Sequence, residues 1–146
     1  MLIVKRLSNA DARLLIEAAS EKAREINVPM CVAVTDETGN LIAFDRMDGG
    51  KFSSISIAID KAFTSAAARN STQFYGETCQ PGKPTWGIHM TNSGHFSIIG
   101  GGLPVVIDGA VLGAIGVSSG TATQDIECAE AAVKAFHAHI AMQQGG

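Results

Sequence analysis

Three residues of this chain have types and settings suited to proton transfer: Asp48, Lys61 and His89. Asp48 follows a strand-like run, where ligand-facing groups often project, and could act as a base or orient one. Lys61 lies in a stretch otherwise almost free of charge. A lysine there either snorkels outward or takes a partner and a lowered pKa. His89 lies in an irregular segment close to Trp86 and could titrate or bind a metal. The plainer alternatives are an exposed Arg46–Asp48 turn, a surface lysine and a histidine without chemical work.

A second set could hold a ligand. Arg46 could fork onto a carboxylate. Ser118, Ser119 and Thr121 precede a helix whose start presents free N–H groups, a natural seat for a carboxylate or phosphate. The competing reading is a capped helix after a strand. Gly101 and Gly102 belong to the run Gly100-Gly101-Gly102. A strand follows that run, so it is no dinucleotide fingerprint. It marks either a bulge or a close ligand approach. Tyr75 and Trp86, the only tyrosine and tryptophan, share the 70–95 stretch.

The elements that must position these residues read as follows. Residues 2–6 form a short strand. Ser8 caps a helix to about Ile26, with Asp11 completing a capping box. Met30–Thr35 and Leu41–Phe44 form a hairpin across the 36–40 turn. Ser53 or Ser54 starts a helix to about Arg69 that is apolar on most sides, suiting a core or a subunit interface. Residues 70–95 form a long irregular loop. Phe96–Ile99 and Leu103–Ile107 are strand-like. Asp108-Gly109 is a hairpin turn, and Ala110–Val117 returns as a strand. Thr121, with Gln124, caps the last helix. The fold class is α+β: one domain over residues 1–146, an antiparallel sheet of five or six strands flanked by helices. The expected pocket lies between Arg46–Gly50, Lys61, the 75–90 loop and the glycine-rich turns.

With 46% apolar residues, the 146-residue chain can build one sizeable core. A net charge of −3 with scattered basic residues argues against a nucleic-acid surface. No apolar run approaches a bilayer span, and no signal-peptide core is visible, so a cytoplasmic location is expected. Three widely spaced cysteines suit neither a disulfide framework nor a zinc site. Cys31 and Cys128 read as core residues, Cys79 as the most exposed thiol. His95 reads as a turn residue, His137 and His139 as surface residues.

Several strings in this order resemble a known family: Arg46-Met47-Asp48-Gly49, Lys61-Ala62-Phe63-Thr64, Gly100-Gly101-Gly102-Leu103-Pro104, Gly113-Ala114-Ile115-Gly116-Val117-Ser118 and Gln124-Asp125. They are similar to the GlcG/HbpS-like family, related to the carboxy-terminal domain of PduO-type proteins. The resemblance covers nearly the whole chain. It implies a profilin-like three-layer α/β/α fold, homo-oligomers, and a haem or cobalamin ligand. Haem ligands differ across that family, so none is carried over; on its own neighbourhood His89 is the candidate for haem iron. The functional expectation is a small-molecule-binding protein with an accessory role in a catabolic pathway. The alternatives are a cofactor-independent lyase or isomerase using Asp48, Lys61 and His89, and a structural or regulatory oligomer.

Overall fold

A computed structural model describes residues 1–145. Helix α1 (Asn9–Glu25) begins at Ser8, whose Oγ accepts from the Asp11 N–H while Asp11 accepts from the Ser8 N–H, the expected capping box. The β1 (Cys31–Asp36) and β2 (Leu41–Arg46) strands form the first hairpin. Helix α2 (Ser54–Ala68) ends at Arg69 in the left-handed region. Its N-cap, Ser53, makes no side-chain capping bond; the Ser54 hydroxyl instead receives one from Ser118 at 3.2 Å. Strands β3 (Gly102–Ile107) and β4 (Ala110–Ser118) form the second hairpin, and α4 (Ala122–Gln144) closes the chain.

The sheet has four strands in the order β2-β1-β4-β3, all antiparallel. Two expected strands do not form. Residues 2–6 find no ladder partner and stand exposed. Residues 96–99 are drawn onto α2 instead: the Ser97 N–H donates to Thr64 Oγ1 at 2.8 Å, and Phe96 packs edge-on to Tyr75. The 70–95 segment is more regular than its composition suggests. It contains helix α3 (Thr72–Thr78), capped by Ser71, and two single 3₁₀ turns at Ile88–Met90 and Asn92–Gly94.

The sheet's two faces differ in kind. Val32, Val34, Val105, Ile115 and Val117 pack under α1 and α4 with Leu15, Ala129 and Phe136 in the main core. The opposite face is built of small residues, Ala33, Ala114 and Gly116 among them, and α2 rides directly on it. A Cβ on Gly116 would collide with the Ala58 carbonyl and lie 2.6 Å from the Ala62 nitrogen. The small residues of α2, Ala58, Ala62 and Ala66, are spent on its own sheet, while Ile55, Ile57, Ile59 and Phe63 stay half-buried. This close approach brings Lys61 under the sheet.

Candidate functional site

Lys61 does not snorkel. It is 1% exposed, and its Nζ donates to the Val117 carbonyl at 2.8 Å and to Asp125 Oδ2 at 2.9 Å. Asp125 Oδ1 accepts the Gly120 N–H at 2.9 Å, so the carboxylate ties the end of β4, the start of α4 and the middle of α2 together. Burial dominates both groups, pushing the Lys61 ammonium below the usual lysine range and the Asp125 carboxyl above the usual aspartate range; their mutual bond opposes both shifts. The pair is a buried strut, closed to substrate.

Gly101 and Gly102 serve this strut. Gly101 has φ +129°, and a Cβ there would lie 2.8 Å from Lys61 Nζ and 2.5 Å from the Val117 carbonyl. A Cβ on Gly102 would meet the Lys61 carbonyl, Ser65 and Thr72. Both glycines are buried, and the close approach they permit is that of α2 rather than of a ligand. Thr121 caps α4 in a box with Gln124, at 3.2 and 2.9 Å. Asp125 supplies the negative charge that an external anion was expected to bring to this helix start.

The chain from Arg46 to Phe52 lines an open groove of about 520 Å³, within the ~300–1,000 Å³ range common for small-molecule sites. The Arg46 guanidinium stands 5.1 Å from the centre of the Phe52 ring, which is 79% exposed. The Lys51 N–H donates to Ser119 Oγ at 3.0 Å, pinning this loop to the end of β4. Ser119 holds φ +117°, a conformation that disfavours a side chain, and it is buried. Lys51 lies close enough to Asp125 to favour its charged form. Arg46 and Asp48 therefore share one groove, which Lys51 links to Ser119 and, through its charge, to Asp125.

A model of the family described as haem degrading protein HbpS-like matches residues 7–134. The chain belongs to the HbpS-like family. It is 39% identical over 133 residues to an uncharacterised 15.0 kDa protein of the dhaT–dhaS intergenic region of Citrobacter freundii, spanning 91% of this chain and 94% of that protein. Among solved structures it resembles protein ORFY of Klebsiella pneumoniae, with a TM-score of 0.92 and 36% identity over 94% of this chain and 95% of that one. It also resembles PduOC crystallised as a complex with haem, with a TM-score of 0.85 and 32% identity over 89% and 94% of the two chains.

In this HbpS-like chain the remaining candidates lie outside the Arg46–Phe52 groove. Tyr75 packs between Phe74 and Phe96, with ring centroids 5.1 and 4.8 Å away, and its hydroxyl reaches the Ala68 carbonyl. It is a packing residue. Cys79 is 2% exposed, against the expectation of an accessible thiol, and its Sγ lies 3.1 Å from His89 Nδ1. Trp86 is 59% exposed, 5.8 Å from the His89 ring, and lines a shallow groove of about 360 Å³ with Pro84, Thr85 and Ile88. His95 closes the Asn92–Gly94 turn, its N–H donating to the Asn92 carbonyl at 3.0 Å, and its ring also meets Asp60 at 2.9 Å. His89 and Lys61 thus have no partner in common, and the acid–base set of Asp48, Lys61 and His89 is not gathered at one point. Sequence reasoning missed Lys51, Phe52 and Asp125. Asp125 carried a signal: an acidic residue one turn into a capped helix, in a chain with one lysine on an apolar helix.

Proposed function

We propose that the protein binds a flat, anionic small molecule, haem in the specific form, in the Arg46–Phe52 groove. The reading extends to a cytoplasmic, self-associating accessory protein of small-molecule breakdown. The observation that carries it is the likeness, over 89% of the chain, to a protein crystallised with haem. The same likeness favours haem over cobalamin. The donor set suits such a ligand: Arg46 and Lys51 can pair with propionates, and the exposed Phe52 ring offers a face for a planar macrocycle. Bound haem supplies redox and ligand-binding chemistry at its iron; this chain's residues hold and orient it.

A second reading places the haem over Trp86. The Cys79 contact occupies His89 Nδ1 and leaves Nε2 as the nitrogen for iron. Titrating the purified protein with haemin separates the two readings. A saturable Soret shift weakened by Arg46→Ala and Phe52→Ala, and unaffected by His89→Ala, supports the first. Loss with His89→Ala alone supports the second. No Soret shift with the unsubstituted protein rejects both.

The acid–base alternative receives less support from the same arrangement, since Lys61 is sealed beside Asp125. Among the described residues no helix is long and apolar enough to cross a membrane.

A further inference from the structure

We propose that residues 2–5 form a strand exchanged between two copies of this chain, each arm pairing with the open edge of its partner's β2. This rests on the self-association part of the functional reading and is independent of the haem part.

The arm has a strand's sequence without a strand's place. Leu2, Ile3 and Val4 are 94%, 98% and 60% exposed and, with Met1, make the longest unbroken run of exposed large apolar residues among the described residues. β-Branched and aliphatic residues in succession favour an extended strand, yet the run meets no ladder partner in its own fold. Its root is firmly held. The Leu7 N–H donates to the Leu112 carbonyl at 3.1 Å, and the Arg6 guanidinium forks onto Glu37 at 2.8 and 2.6 Å in the β1–β2 turn. Residues 1–5, beyond that anchor, span about 17 Å when extended at ~3.3 Å per residue, the length of a short strand.

The sheet has two outer strands, and the chain treats them differently. On β3, the Val117 N–H bonds to the Gly101 carbonyl, so the alternation of antiparallel pairing turns the backbone groups of Gly102, Pro104 and Val106 outward. Each is blocked. The Gly102 N–H donates to Thr72 Oγ1, Pro104 has no N–H, and the Val106 carbonyl accepts from His137 Nε2 at 3.0 Å. These are devices that prevent edge-to-edge pairing. On β2, the Met47 N–H bonds to the Met30 carbonyl, so the same alternation turns Phe44 and Arg46 outward, as far as the bulge at Ile42. Among the described residues their backbone groups make no hydrogen bond beyond the sheet. The β3 edge is blocked at three residues; the β2 edge carries one bulge, at Ile42 near its hairpin turn, and is open from Ala43 to Arg46.

A second copy is the occupant the chemistry fits. Among the described residues Lys5 on the arm and Asp45 on β2 enter no ion pair, so each strand brings a charge that the other can answer. Reciprocal exchange of two arms, with the surface each covers, buries on the order of 1,500 Å², within the ~1,200–2,000 Å² of stable interfaces.

The test uses the full chain with any purification tag at its carboxy terminus. Sedimentation at micromolar concentration should give a dimer or larger species. Ile3→Asp should give a monomer with unchanged circular dichroism, because Ile3 is 98% exposed in its own fold, and a melting temperature that no longer rises with protein concentration. Leu41→Cys combined in turn with Leu2→Cys, Ile3→Cys and Val4→Cys should give an intermolecular disulfide in at least one pairing, against a low background because Cys31, Cys79 and Cys128 are buried. A monomeric unsubstituted protein overturns the self-association reading and the exchange with it. An oligomer that survives Ile3→Asp, or cross-links that form only within one chain, overturns the exchange alone.

Discussion

Lys61→Met should unfold the protein far more readily than a surface lysine change. The substitution keeps most of the side chain's length and removes its charge. Asp125 is then left 3% exposed with only the Gly120 N–H, and the Val117 carbonyl loses its side-chain donor. Breaking a buried ion pair by removing one partner costs about 3–5 kcal/mol, a large share of the ~5–15 kcal/mol that holds a domain folded. For a chain of this size that corresponds to a fall in melting temperature of roughly 6–20 °C. Urea unfolding, read as the change in midpoint at constant slope, measures it. Adding Asp125→Leu should recover at least half of the loss, since an apolar pair of similar volume replaces a buried ion pair at little net cost. At a temperature where Lys61→Met remains folded, its haemin affinity should match that of the unsubstituted protein, because the ammonium does not reach the groove. A loss below ~1 kcal/mol, or a double variant as damaged as the two single changes together, refutes the strut.

Three further outcomes follow from the same coordinates. Gly116→Ala should lose 1–3 kcal/mol or more, the cost of overpacking, and be recovered largely as insoluble protein, because the new methyl meets the α2 backbone; normal stability would contradict the close approach. Carbonyl-carbon NMR should find Asp125 titrating above the ordinary aspartate value of ~3.9, because burial raises it. As pH falls the folded state takes this proton first, so the group favours folding in acid and that contribution is lost as pH rises through the raised value; a midpoint below the ordinary one contradicts this. Burial pushes the Cys128 thiol up to about 11, so at pH 8 roughly one molecule in a thousand carries its thiolate. Iodoacetamide should label Cys128 only after unfolding, and rapid native labelling would refute its burial.

The hairpins, the capped helices and the glycine positions were legible because their signals are local. Asp108-Gly109, the Ser8–Asp11 box and the Thr121–Gln124 box each act over four residues or fewer, and all three are present. The misreadings arose where a distant partner decides. Whether residues 2–6 and 96–99 pair depends on which edges are free, and Thr64, 33 positions from Ser97, claims the second segment. The fate of Lys61 was fixed by Asp125, 64 positions away. Its neighbours on α2 indicated burial but carried no trace of the counter-charge. The glycine run advertised a close approach without naming the visitor, which proved to be a helix. Cys79 sat among polar and glycine residues and looked exposed; Thr78 and Thr85, bonded at 2.7 Å, close the loop around it.

The groove itself is tested most directly by mapping the bound ligand. Amide NMR of the protein titrated with gallium protoporphyrin, a diamagnetic stand-in for haem, should shift or broaden residues 46–52 and 117–120 together. Residues 84–91 should stay in place. Perturbation confined to 84–91, or no perturbation at all, would contradict the assignment of the Arg46–Phe52 groove as the ligand site.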